Sequence, residues 1–330
     1  MLSTKEKIFS TKIKMMQFDP FGWCNAKCWF CPVKYNPLPM ESRKHMPVEL
    51  IEKIFAQVNE EKNKPDGLVD PSFDYFYTAH YNEILLYKHL EKLFQIADKY
   101  NFKTMILSNG TTLTPEKTDL LTKYKHLIVG VCLNIPAFDA ETWSKRAGFS
   151  IDKFDNLVLN VRYFIDNANW IQPSIQINSV DNITFADGWT KKGPNFGSID
   201  MDLDLKYGEL EMQFNKAYEL FPEANIFKNN GIIDRAGLLK DIIHQKDYVE
   251  HYAGKKVISC NNGGDRSTNW LHVNATGDAF ICCNDYNYDY TYGNLSTNTL
   301  REIWGSDKHI NAIEKAHEEM CTKCGSAVWG

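Results

Sequence analysis

No stretch of this 330-residue chain approaches the roughly 20 apolar residues that a membrane-spanning helix needs. Residues 1–16 are polar and lysine-bearing and lack the apolar segment of a secretory signal. Neither sign of charge dominates: 37 Lys+Arg stand against 42 Asp+Glu, a net charge of -5, so nothing suggests a protein that tracks a phosphate backbone. Internal repeats and low-complexity tracts are absent, which excludes solenoids and disordered linkers. Hydrophobic residues at 43% and charged residues at 24% are ordinary globular values. A soluble, cytoplasmic enzyme with no nucleic-acid or membrane partner is the expectation at this level.

Cysteine is also scarce through the middle: between Cys31 and Cys260 only Cys132 occurs. The nine cysteines are an odd number without a signal peptide, which argues against a secreted disulfide framework. They fall into an early triplet (Cys24, Cys28, Cys31) and a late set (Cys260, Cys282, Cys283, Cys321, Cys324). Grouped reduced thiols of this kind read as metal or iron–sulfur ligands.

The long middle alternates in type. Strand-like runs occur at 12–18, 73–78, 103–108, 127–135, 171–180 and 224–228, and helix-like stretches at 47–61, 84–100, 115–124, 151–167 and 207–221. Thr114-Pro115-Glu116 is a helix start, and Asn109-Gly110 a turn. Six strands alternating with five helices predict an α/β fold with a parallel sheet, its chemistry at the C-terminal strand ends. Periodicity leaves a barrel, a partial barrel and an open sheet equally available. The long polar segment 181–206 follows the fifth strand and reads as an active-site loop or a tolerated surface insertion. The expected domains are an N-terminal extension (1–12), a main domain (13–235), a linker (236–256) and a small cluster-bearing domain (257–330). Cys132 reads as a small core residue, and the tyrosine-rich stretch 286–292 as a polar loop.

The triplet Cys24-x3-Cys28-x2-Cys31 follows the first strand, and Gly22 and Pro32 bracket it and discourage a helix. Three thiolates on a four-iron cluster leave one iron open to a small molecule; a zinc site would want a fourth ligand, with His45 the nearest candidate. With Phe30 before its last cysteine, this pattern resembles the radical S-adenosylmethionine enzyme superfamily. That resemblance implies a partial (β/α)6 TIM-like barrel and a [4Fe-4S] cluster whose open iron chelates S-adenosylmethionine. It also implies reductive cleavage to a 5'-deoxyadenosyl radical that abstracts a substrate hydrogen, and a reductase, flavodoxin or ferredoxin-type electron donor. By the same resemblance Glu83, in Tyr81-Asn82-Glu83-Ile84-Leu85, accepts from the cofactor's ammonium, although the family's glycine pair and proline are missing there. Ser108-Asn109-Gly110 looks like its ribose or carboxylate turn, Asn134 is another polar strand end, and Arg146 matches the place of a carboxylate-binding arginine.

The late cysteines carry a second resemblance. Cys260, the Gly277-x4-Cys282 hairpin and Cys321-x2-Cys324 look like the SPASM/Twitch auxiliary domain of the same superfamily, a small α+β unit. Four ligands, Cys260, Cys282, Cys321 and Cys324, suffice for one auxiliary [4Fe-4S] cluster in the shorter, Twitch-like version; the glycine spacing favours Cys282 over Cys283. Four cysteines also make a structural zinc site. A cluster without an open iron suits electron transfer, which points to two-electron oxidation of a small metabolite such as a sugar or aminocyclitol. The competing readings are a peptide-modifying maturase (only 23 residues precede Cys24, little room for a leader-binding domain), a redox-neutral epimerase or isomerase, and a non-catalytic metal-stabilised protein. Arg266, in the polar run after Cys260, is the candidate for binding an anionic or hydroxylated substrate. His80, beside the Glu83 segment, is the candidate proton acceptor.

Overall fold

A computed structural model describes residues 3–37, 43–78, 80–178, 209–229, 235–238, 252–262 and 264–330. The expected loop at 181–206 lies outside them. The chain divides into two compact units: residues 1–23, 38–104 and 247–330 form the first, and residues 24–37 and 105–246 the second. Among the described residues no helix is long and apolar enough to cross a membrane.

In the first unit, strand β1 (Met15–Phe18) pairs in parallel with β2 (Tyr75–Tyr77) on one side, and β7 (Val257–Cys260) pairs separately with β11 (Ala327–Trp329). On its other side β1 runs parallel to β8 (Trp270–Val273), placing Gln17 opposite His272. Antiparallel β9 (Asp278–Phe280) and β10 (Thr291–Asn294) continue from β8 as a meander. The late segment therefore extends the sheet that β1 begins. Helices α1 (Thr4–Thr11), α2 (Val48–Asn63), α3 (Leu90–Lys99) and α8 (Asp307–Glu318) belong to the same unit. Phe18, Phe55, Phe76 and Phe102 pack edge to face between α2 and the strands, with ring centroids 5.1–5.5 Å apart, the offset geometry aromatic rings prefer.

Strand β3 (Lys103–Ser108) starts in this unit, where Thr104 donates to the Phe76 carbonyl, and ends in the second. There β4 (Ile128–Asn134), β5 (Ser174–Asn178) and β6 (Asn225–Asn229) are parallel neighbours. Helices α4 (Pro115–Lys123), α5 (Ala140–Ala147), α6 (Phe154–Asn167) and α7 (Glu209–Leu220) connect or flank them. The alternation expected from sequence is present.

Several boundaries differ for local reasons. The stretch expected as one helix at 84–100 opens with a single 3-10 turn at Ile84–Leu86, capped by the Glu83 carboxylate on the Leu85 N–H, and α3 begins only at Leu90. Helix α1 was not expected, yet Ser3 and Glu6 form a reciprocal capping box at its start. Helix α5 was also missed, although Asp139 caps it on Thr142 and Gly148 ends it in the left-handed conformation. Residues 286–290 are a loop of turns, as expected, that runs into β10, but its tyrosines face inward. Tyr286, Tyr290 and Tyr292 are buried, because the turn folds over the buried Asp285 carboxylate, which accepts from the Asp289 and Tyr290 N–H groups.

A buried carboxylate also fastens α2 to the late segment. Glu61 accepts from Arg301, Lys64 and the Leu68 N–H. Burial alone would raise its pKa, but these donors prevail and hold it at about 2 against an ordinary 4.5. The folded value is the lower one, so the pair's stabilisation is complete above pH 4.5 and is lost as pH falls toward 2. Glu61→Gln is expected to lower stability at neutral pH by about 1–2 kcal/mol, Arg301 being half exposed. The variant should lose less stability than the wild type between pH 5 and pH 3 in denaturant melts.

Candidate cofactor and cluster sites

In the second unit the cysteine triplet lies on an irregular loop. Cys31 is the N-cap of a single helical turn, Pro32–Tyr35, with proline at its first position. The loop is seated on the C-terminal end of α5: Lys27 N–H donates to the Ala147 carbonyl at 2.8 Å and Trp29 N–H to the Arg146 carbonyl at 2.9 Å. Carbonyls that a helix end leaves without intrahelical partners thus set the path between Cys24 and Cys31. Gly148 makes the approach possible. Its φ is +73°, and a Cβ there would stand 2.7 Å from Lys27 Cβ.

Asn109, at the end of β3, reaches this loop. Its Nδ2 donates to Asn25 Oδ1 at 2.9 Å and lies 3.9 Å from Cys24 Sγ, while its Oδ1 accepts from Thr111. Ser108 Oγ accepts from the Gly110 N–H in the same turn. Arg146 is buried, and one guanidinium nitrogen donates to the Pro136 carbonyl at 3.2 Å. Asn134 ends β4 opposite Gln176, and Phe30 packs edge-on against Trp29. Burial raises the Cys31 thiol's pKa. Cys132 is buried within β4.

The first unit holds the other predicted residues. Glu83 is 1% exposed and its N–H donates to the carbonyl of Trp23, the residue before Cys24, at 3.0 Å. His80 is committed on both ring nitrogens: Nδ1 lies 2.9 Å from Asp19 Oδ2, and Nε2 lies 2.9 Å from His272 Nδ1. His45 stacks on Phe21 and Tyr87.

Four late cysteines form the second group. Burial raises the Cys321 thiol, and Cys324 and Cys260 push it the same way. Cys282 is raised by its hydrogen bond with Cys283, by burial, and further by Cys321. Backbone N–H groups of Asn262 and Asn284 point at Cys260 Sγ and Cys282 Sγ, each at 3.4 Å, and Asn284 Nδ2 at Cys324 Sγ at 3.5 Å. Cys283 Sγ accepts from Arg266 at 2.8 Å. Arg266 itself is spent locally, on Asn262 and over the Trp270 ring at 4.2 Å.

Mutually close thiols ringed by N–H donors are the donor set an iron–sulfur cluster takes. Among the described residues no three His, Cys, Asp or Glu side chains gather closely enough to hold one metal ion. Asn25, Asn284, Asp19 and His272 were not anticipated. Asn25 and Asn284 directly follow cysteines in sequence, which was the available signal. Asp19 and His272 come together only through the parallel pairing of β1 with β8.

Comparison with known proteins agrees with this geometry. Residues 19–193 match the Radical SAM superfamily, and residues 260–325 match SPASM, an iron–sulfur cluster-binding domain. No curated protein matches by sequence. Among solved structures, BtrN in complex with AdoMet and 2-DOIA superposes with a TM-score of 0.53 at 15% identity, covering 96% of this chain and 92% of that one. SuiB from Streptococcus suis, bound to its precursor peptide SuiA, gives 0.53 at 16%, covering 96% and 70%. Native anSMEcpe with bound AdoMet gives 0.54 at 19%, covering 94% and 86%.

Three substitutions test the local geometry. Cys282→Ser should lower iron and sulfide content at the late site, whereas Cys283→Ser should leave it near wild type after anaerobic reconstitution. Gly148→Ala forces a non-glycine residue into the left-handed region at about 1–2 kcal/mol and pushes on Lys27. Its expected outcome is reduced iron at the early triplet, with the late site still loaded. With its matched span covering more than half of the sequence, the chain belongs to the Radical SAM superfamily; it carries a C-terminal SPASM domain on the α/β partial-barrel fold of that family, and its cofactors are S-adenosylmethionine, a [4Fe-4S] cluster and an auxiliary iron–sulfur cluster.

Proposed function

We propose that this radical S-adenosylmethionine enzyme carries out a two-electron oxidation of a small molecule, a sugar or aminocyclitol-like compound with a hydroxyl- or amine-bearing carbon. When bound, the cofactors supply a carbon-centred radical that abstracts hydrogen and, in the auxiliary cluster, a one-electron acceptor. An external flavodoxin- or ferredoxin-type protein is the expected electron donor, and cysteines grouped as cluster ligands suit a reducing compartment such as the cytoplasm.

The chain's own residues divide the work. Cys24, Cys28 and Cys31 hold the first cluster, and the absence of a fourth cysteine on their loop leaves the open position that S-adenosylmethionine requires. Glu83 accepts from the ammonium. In the second unit Ser108, Asn109, Asn134, Arg146 and Phe30 would contribute to holding the cofactor, Asn109 beside Cys24 and Arg146 as a guanidinium for its carboxylate. Cys260, Cys282, Cys321 and Cys324 hold the auxiliary cluster, with the Asn262 and Asn284 N–H groups stabilising the thiolate charge. Arg266 supports that site through Cys283, and His80 is held by Asp19 and His272, so neither is assigned to the substrate.

The observation that carries the oxidative reading is the second group of cysteines. Four protein thiols satisfy a cluster completely, which removes S-adenosylmethionine binding from its repertoire and leaves electron transfer. Peptide oxidation is the second reading, favoured by the SuiB complex with SuiA and by anSMEcpe with the Cp18Cys peptide.

The test supplies reconstituted, reduced enzyme and S-adenosylmethionine with a metabolite fraction or a peptide fraction. The small-molecule reading expects 5'-deoxyadenosine above background with the metabolite fraction only, alongside a product lighter by two hydrogens. Stimulation by peptides alone would move the assignment to the second reading. A product with the substrate's own mass would replace oxidation with isomerisation.

A further inference from the structure

We propose that the turn of residues 80–83 is a positioning element that makes S-adenosylmethionine binding depend on the auxiliary-cluster hairpin, with the Tyr81 hydroxyl as the link. The inference rests on the assignment of Glu83 to the cofactor's ammonium. Within the first unit this short turn is fastened at successive residues to two different parts of the chain. Toward the exit of β1, Asp19 Oδ1 accepts from the His80 N–H at 3.0 Å and from Asn82 Nδ2, and the Trp23 carbonyl accepts from the Glu83 N–H at 3.0 Å. Toward the late segment, His80 pairs with His272 in β8, and the Tyr81 hydroxyl donates to the Cys283 carbonyl at 2.7 Å.

The protonation of the histidine pair follows from its surroundings. His272 Nε2 is the buried ring nitrogen that would be costly to leave as an unpaired N–H, so the shared proton is placed on His272 Nδ1 and His80 Nε2 accepts. That leaves His272 Nε2 without a proton. This atom is buried and has no hydrogen-bond partner, and a bare lone pair in that place is less costly than a buried N–H. Burial also lowers the His272 pKa well below its ordinary value, keeping the ring neutral. The pair is thus a fixed strut between the turn and β8.

Tyr81 makes a second, separate contact with the late segment. Its ring stands edge-on to Tyr286 with centroids 4.5 Å apart, and its hydroxyl reaches the backbone of the residue next to Cys282. A displacement of the Cys282–Cys283 hairpin therefore pulls on the residue two before Glu83. Glu83 is itself buried, its backbone N–H tied to Trp23 and its carboxylate to the Leu85 N–H, so the turn's path sets where that carboxylate stands. Coupling of this kind is reciprocal in binding free energy.

The test compares Tyr81→Phe, Tyr290→Phe and Glu83→Gln in anaerobically reconstituted full-length protein. Tyr81→Phe keeps the ring and removes the link. Tyr290→Phe makes the same change on the same hairpin, where the hydroxyl instead donates to Glu319. S-adenosylmethionine affinity is measured by equilibrium dialysis, and by the cofactor concentration at which the reduced early cluster's paramagnetic resonance spectrum changes. The expectation is a loss of about five- to tenfold in affinity for Tyr81→Phe, the scale of one buried hydrogen bond, with iron content unchanged and Tyr290→Phe indistinguishable from wild type. Asp19→Asn, which loosens the turn from its other side, should weaken binding in the same direction if Tyr81→Phe fails to fold. A wild-type affinity for Tyr81→Phe beside a weakened Glu83→Gln overturns the link. Equal losses in both tyrosine variants would also overturn it, as general loosening of the hairpin. A wild-type affinity for Glu83→Gln would instead remove the Glu83 assignment itself.

Discussion

A buried carboxylate must find donors, and Asp19 finds them in the turn that follows β2. Its Oδ1 accepts from the His80 backbone N–H and the Asn82 amide, and its Oδ2 lies 2.9 Å from His80 Nδ1. An uncompensated carboxylate there would carry a large desolvation cost, so the exit of β1 and the 80–83 turn are obliged to stay together. Two consequences follow in the first unit. Glu83 is delivered to the carbonyl of Trp23, immediately ahead of the cysteine triplet in sequence. His80, seated beside Asp19, meets His272 of β8 through its other ring nitrogen at 2.9 Å and so ties the turn to the segment bearing the late cysteines. The polar core of this unit and its candidate cofactor residues are one construction.

The second unit solves a different problem, that of holding a cysteine loop in an irregular path. Helix α5 ends with carbonyls to spare, and the loop's own N–H groups satisfy them. Asn109 supplies side-chain hydrogen bonds at the loop's start. The loop's path is thus established mainly by peptide groups and by the Asn109 amide, which also faces Cys24 Sγ at 3.9 Å. A preformed loop is what lets three cysteines act as a set without secondary structure beneath them.

Much of this was legible in the sequence. The spacing of Cys24, Cys28 and Cys31 and the glycine-to-cysteine interval before Cys282 carried the cofactor chemistry, because ligand spacing is local. The alternation of strands and helices carried the fold class. What stayed hidden is long-range. His80 and His272 are far apart in sequence, and only the register that sets Gln17 opposite His272 brings the second histidine to the first. Arg266 read as a substrate anchor because its run is polar and glycine-rich; its partners turned out to be Asn262, Trp270 and Cys283. The tyrosines at 286–292 read as surface because aspartate and asparagine alternate with them, whereas Asp285 gathers the turn's N–H groups and turns the rings inward. Two helix starts, at Ser3 and Asp139, had cap residues in plain view but little apolar periodicity behind them.

The central claim is that this chain holds two iron–sulfur clusters, the second on Cys260, Cys282, Cys321 and Cys324. Iron and acid-labile sulfide per chain, measured after anaerobic reconstitution of a Cys24→Ala/Cys28→Ala/Cys31→Ala variant, tests it most directly. About four irons and four sulfides should remain, the content of one cluster on four thiolates. A variant that retains essentially no iron, or one zinc ion in its place, would contradict the claim and remove the electron acceptor on which the oxidative reading depends.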